Sequence, residues 1–193
     1  MLRVVLIRPG STDFDEQGRI MGRLDIPLSE LGAAQISQTA GELADMGIEC
    51  IYSAPCSSAT ESAEAIAKSL GVKTRTMLAL LNLDPGLWQG KLIDEVKSQS
   101  PKIYRRWQEQ PETICPPDGE MINDAKDRLR EAVTKLCRKK KDGVVGLVVP
   151  EPLASVLCAM LKQENIGDLW EAEGNCGIWE SFEIQATDPL APQ

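Results

Sequence analysis

The sequence predicts an α/β protein with a mostly parallel sheet and helices on both faces. Three observations carry that reading. Short apolar runs of strand length alternate with stretches whose apolar residues repeat at helical spacing, the pattern of βαβ units with right-handed crossovers. The 193 residues fit one domain, and 42% hydrophobic residues are enough to build a core. No internal repeat, low-complexity tract or long linker divides the chain. One domain over residues 1–185 is therefore expected, followed by a loose tail over 186–193.

The elements follow in order. Leu2–Ile7 is an apolar run ended by Pro9-Gly10, so it reads as a strand buried on both faces. A polar, Asp- and Gly-rich loop runs from Ser11 to Asp25. Ser29 and Glu30 mark a helix entry, Ile36, Ala40 and Leu43 form its stripe, and Gly47 closes it. Cys50–Ser53 is a second strand. Ala59, Ala63, Ile66 and Leu70 line a second helix that Gly71 terminates, and Val72–Met77 is a third strand. Leu81–Gly90 reads as a loop, followed by helical pieces at Ile93–Lys97 and Lys102–Glu109 and a Pro-rich loop from Pro111 to Gly119.

Ala125, Leu129, Ala132 and Leu136 give a clear helical stripe. Its last turn is basic, Arg138 to Lys141, and complements the negative end of the helix dipole as a solvated helix end. Val144–Val149 is a strand, Pro152–Lys162 a helix and Gly177–Ile184 a last strand. Trp88, Trp107, Trp170 and Trp179 are read as core or lid packing.

The charge balance narrows the function classes. There are 21 Lys and Arg against 29 Asp and Glu, a net charge of −8. An acidic surface argues against nucleic acid or an anionic membrane as partner. The first apolar run is too short for a signal-peptide core or a membrane span, so a cytoplasmic protein with reduced thiols is expected. Six cysteines lack C-x-x-C spacing, and no histidine exists to complete a mixed zinc site. No metal and no cofactor is expected.

Four segments resemble the histidine phosphatase superfamily. Leu6-Ile7-Arg8-Pro9-Gly10-Ser11-Thr12 is similar to the strand and loop that carry the family's Arg-His-Gly, and it leads into the matching stretch Gly22–Gly32. Ser53–Ala63 is similar to the segment whose phosphate-gripping arginine falls on Ser58, with a second arginine of relatives falling on Thr60. Leu83–Gly90 resembles a Gly-x-Trp-Glu-Gly stretch whose preceding proton-donor glutamate falls on Asn82, and Gly119-Glu120 matches a Gly-Glu before a long helix. Gly146–Pro152 is similar to the strand that ends in a second histidine, which aligns with Pro150 or Val149. Asn175, Ile178 and Trp179 resemble the asparagine and last strand that close the family domain.

The resemblance implies a phosphoglycerate-mutase-like three-layer sandwich, with a sheet of about six strands and residues 9 and 150 at one rim. It also implies that the catalytic positions are degenerate: Pro9, Ser58, Asn82 and Pro150 stand where nucleophile, arginine, acid and second histidine belong. The family's reaction passes a phosphoryl group to an imidazole, and proline offers neither a nucleophile nor an N–H. Arg8, Ser11, Thr12 and Arg23 are left as an anion-binding set. Arg8 either holds a small anion or pairs with a neighbouring carboxylate.

The expectation is a pseudophosphatase, not an enzyme, that binds an unidentified protein partner or a small phosphorylated ligand; a homodimer stays open. The alternative is a phosphatase or other hydrolase with rewired chemistry, using the Cys56 thiol or a metal held by Asp13, Asp15 and Glu16. Core packing for Cys56 and a solvated loop for the carboxylates are the plainer readings of those residues. A third option is an interaction module whose old pocket is filled by side chains.

Overall fold

A computed structural model describes residues 1–185 and 190. Five strands form the sheet: β1 (Leu2–Ile7), β2 (Ile48–Ser53), β3 (Lys73–Thr76), β4 (Gly143–Val148) and β5 (Trp179–Ile184), in the order β3–β2–β4–β1–β5. That is one strand fewer than the family resemblance implies; no further segment among the described residues pairs with either edge. β1 pairs in parallel with β4, β2 in parallel with β3 and β4, and β5 runs antiparallel to β1.

Successive residues Val4, Val5, Leu6 and Ile7 are all fully buried, so both faces of β1 are covered. The main helices are α2 (Glu30–Glu42), α3 (Ser57–Leu70), α6 (Ile122–Lys139) and α7 (Leu153–Lys162). α2 packs against α3, and α6 against α7. α4 (Ile93–Gln99) and α5 (Pro101–Glu109) follow the predicted helical pieces. Ser29 caps α2 by accepting from the Gly32 N–H, and Gly71 ends α3 in the left-handed region at φ 69°.

One short helix falls where the sequence reads as loop, and another in the stretch between Lys162 and Gly177 to which no element is assigned. α1 (Asp13–Glu16) lies inside the polar stretch and exists through a capping box: Thr12 accepts from the Asp15 N–H while the Asp15 carboxylate accepts from the Thr12 N–H. α8 (Leu169–Ala172) is anchored by Trp170, which stacks on Tyr104 at 4.9 Å and lies 5.4 Å from Trp88. Trp88 and Trp107 meet edge to face at 5.4 Å, so three of the four tryptophans pack as expected. Trp179 is half-buried and donates from Nε1 to Glu42. Of the stretch 186–193 expected as a tail, only Leu190 is described, and it is buried against the core; the rest lies outside the described residues.

The topology locates the site. The chain leaves β1, builds β2 and β3 to one side, then returns to lay β4 between β1 and β2. Such a reversal opens a crevice beyond the carboxyl ends of the strands that flank it. The loops after β1 and β4 meet there.

Candidate functional site

The β1 loop is held in place by close backbone packing. A Cβ at Gly10 would stand 2.3 Å from the Gly32 carbonyl oxygen, and one at Gly32 would stand 2.1 Å from the Ser11 carbonyl oxygen. Only glycine permits this approach of loop and helix. The Gly10 N–H donates to Ser62 Oγ at 3.2 Å, and the Pro9 carbonyl accepts from the Gly177 N–H at 2.8 Å.

Pro9 and Pro150 line one cavity at this rim, together with Ser58, Asp15, Glu151 and Glu173. Residues 9 and 150 are therefore brought together as expected. The cavity has a volume of about 20 Å³, room for a single water.

Arg8, next to Pro9, is buried, with 3% of its surface exposed. Its Nε donates to Glu151 Oε1 at 3.1 Å and its Nη1 to Glu180 Oε1 at 2.9 Å. Glu151 also accepts from Ser155 N and Oγ, both at 3.0 Å, and Glu180 accepts from Lys162 Nζ at 2.6 Å. Burial works against the guanidinium charge, but Glu151 and Glu180 outweigh it and raise the Arg8 pKa. Of the two roles the sequence leaves open for Arg8, the geometry displays the carboxylate pairing.

The remaining residues of the expected anion set are engaged in structure. Ser11 bonds Gln35 Oε1 from its N–H at 2.8 Å and from its hydroxyl at 3.0 Å. Thr12 serves the α1 cap. Arg23 donates to the Asn82 carbonyl at 2.9 Å and pairs with Glu120 at 3.2 Å and Asp84 at 3.5 Å. Ser58 is buried at the start of α3, 3.7 Å from Cys56 Sγ. Asn82 is also buried: its Nδ2 donates to the Gly22 carbonyl at 3.0 Å and to the Glu151 carbonyl at 2.9 Å. It ties the loop before α2 to the loop after β4.

The sequence reading missed Glu151 and Glu173 as site residues. Glu151 is adjacent to the aligned Pro150, which could have flagged it. Nothing in the sequence marks Glu173; α8 places it in the cavity wall. Burial, then the charges of Asp15 and Glu151, push the half-buried Glu173 carboxyl well above the usual range. Among the described residues it makes no hydrogen bond or ion pair. Burial also raises Asp15, against the pull of its bonds from Thr12. Asp15 Oδ2 takes both Thr12 bonds, at 2.7 and 2.8 Å, and among the described residues Oδ1 takes none.

Two thiols near the rim are held as poor nucleophiles. Burial pushes Cys56 up, and burial with the Asp15 charge pushes Cys176, also in the cavity wall, up to about 11. Among the described residues, no group of three or more Cys, Asp or Glu side chains is arranged to hold a metal ion. No helix among them is long and apolar enough to cross a membrane.

Comparison with known proteins places the fold. The family model of the histidine phosphatase superfamily (branch 1) matches residues 4–189. Phosphoserine phosphatase 1 of Hydrogenobacter thermophilus is 28% identical over 162 residues, 83% of this chain and 77% of that protein. Glucosyl-3-phosphoglycerate phosphatase of Mycobacterium tuberculosis is 29% identical over 183 residues, 91% and 81% of the two chains. The structure of the mycobacterial glucosyl-3-phosphoglycerate phosphatase with VO3 superposes at a TM-score of 0.83, with 28% identity over 93% of this chain and 90% of that one.

These relatives correct one expectation. They are named as phosphatases, which points to an enzyme and overturns the expectation of a pseudophosphatase. A lost nucleophile is not by itself lost catalysis. An absent imidazole closes the covalent route alone and leaves direct attack by water open.

Proposed function

Since the chain belongs to the histidine phosphatase superfamily, we propose that it is a hydrolase of that fold in which water is the nucleophile. With no histidine in the sequence, a phosphohistidine intermediate is unavailable. The neutral thiols of Cys56 and Cys176 do not supply a substitute.

The observation that supports the reading is the unpaired Glu173 carboxyl beside Asp15. Two carboxyls in one cleft, both raised by burial, can divide the acid and base roles: Glu173 has no partner and Asp15 is held by Thr12. Glu173, its pKa raised by burial and by the Asp15 and Glu151 charges, is the proton donor to the leaving oxygen as the ester bond breaks. Asp15, with Oδ1 uncommitted, takes the proton of the attacking water. Glu151 is unsuited to that step, because Arg8 and Ser155 occupy its oxygens.

Phosphate monoesters of small molecules are the substrate class, by analogy with the names of the relatives. The carboxylate lining disfavours a dianion. The monoanion that prevails below the second phosphate pKa of about 6 brings less charge to that lining, so activity belongs to acid pH, and the one-water cavity has to widen to admit the ester. Turnover of p-nitrophenyl phosphate and phosphoserine at pH 5 tests the reading. Slow hydrolysis that copurifies with the protein and drops about 10²-fold in Glu173→Gln supports it. No turnover of either ester, or equal turnover by the variant, overturns it.

A further inference from the structure

We propose a second ligand site, at the β3 edge of the sheet, that binds a small organic anion with an apolar body. It is the cleft between the β3 edge and the last turns of α6, with a volume of about 360 Å³. That size falls in the range of small-molecule sites, roughly 300–1,000 Å³. It does not rest on the hydrolase reading, because it shares no residue with the cavity at Pro9 and Pro150.

The floor is apolar, formed by Tyr52, Met77 and Leu136, and the walls are cationic. Arg75 stands on β3 and Lys139 on α6, both exposed, and neither has an ion-pair partner among the described residues. Lys135 reaches Glu131 only at 3.5 Å, with both side chains more than 70% exposed, a loose pair. Arg128 is committed: Glu120 holds it at 2.9 Å and the Ala79 carbonyl at 2.7 Å. Glu131 is the one opposing charge in the lining.

Unpaired cations concentrated around an apolar floor are unexpected on a chain of net charge −8. Such a patch focuses anions locally against the field of the whole protein. The negative end of the α6 dipole offsets part of this, and Lys135, Arg138 and Lys139 in its last turns counter it in turn. The floor calls for an apolar body, an acyl chain or an aromatic ring. The walls call for one carboxylate or phosphate, held by Arg75 and Lys139.

The probe is 1-anilinonaphthalene-8-sulfonate, which joins an aromatic body to one anion. Fluorescence titration of the full chain is expected to give saturable binding of one probe per chain, displaced by octanoate or octyl phosphate and not by octanol. The two competitors tell a carboxylate site from a phosphate site. The double variant Arg75→Glu/Lys139→Glu changes exposed side chains and should fold normally by circular dichroism. It is expected to bind the probe about tenfold more weakly, since rim charges steer and hold an anion. Unsaturable binding, displacement by octanol as strong as by octanoate, or unchanged affinity in the double variant overturns the site. So does light scattering that shows a dimer whose formation excludes the probe.

Discussion

Arg8 Nε and Glu151 Oε1 meet at 3.1 Å, with both side chains almost wholly buried. This pair joins the loop after β1 to the loop after β4 and fixes the rim around which the candidate site is built. Glu180 gives Arg8 a second, half-exposed partner at 2.9 Å.

Breaking the pair from one side leaves a buried guanidinium short of a partner. Glu151→Ala should destabilise the fold by about 3–5 kcal/mol in urea unfolding. Arg8→Met/Glu151→Met removes both charges and should lose much less, because the desolvation cost leaves with them. A double variant as unstable as the single one would contradict this.

Asn82 occupies the position where the resemblance places a proton donor, yet its Nδ2 feeds two backbone carbonyls. Asn82→Asp would face those carbonyls with an acceptor. The expected cost is about 2–6 kcal/mol, two buried acceptors losing their donor at about 1–3 kcal/mol each. The thermal midpoint of the variant reads this out; an unchanged midpoint would argue that the two bonds contribute nothing.

Glu173 also makes a stability prediction. Its carboxyl is raised in the folded chain, so the native state binds the proton more tightly than the unfolded one. Its contribution is fully present below the unfolded glutamate pKa and is lost as pH rises through the folded value. The protein should therefore lose stability as pH rises above the unfolded glutamate pKa, until the folded value is passed, and Glu173→Gln should flatten that slope. Glu180 works in the other direction. Burial raises it, but Lys162 and Arg8 prevail and hold it low, so its contribution appears above the unfolded pKa and fades as pH falls.

The thiols separate by environment. At pH 7.5, iodoacetamide should label the exposed Cys115 first, and Cys176 should label slowly until the pH approaches its value of about 11. Peptide mass spectrometry follows each site. Rapid labelling of Cys176 at neutral pH would revive a thiol nucleophile.

Much of the fold was legible because its signals are local. The apolar run of β1, the Ser29 cap, the Gly71 stop and the stripe of α6 each sit within a few residues of one another. The meeting of Pro9 with Pro150 was legible only through the family resemblance, since 140 positions separate them and spacing alone carries no such contact. Glu173 was invisible for a related reason. Its raised pKa comes from burial behind α8 and from Asp15 and Glu151, which lie far away in sequence. The role of Arg8 stayed open because its partners, Glu151 and Glu180, are also distant. The short helix α1 was missed because the residues that build its cap, Thr12 and Asp15, are also ordinary loop residues.

The most direct test is the pH dependence of kcat/KM for p-nitrophenyl phosphate, from pH 4 to 9, on the wild-type chain and on Glu173→Gln. Proton donation by Glu173 to a substrate attacked by water predicts activity that is highest at acid pH, declines as Glu173 ionises, and is almost abolished in the variant. No activity at any pH, or two superimposable profiles, would contradict it.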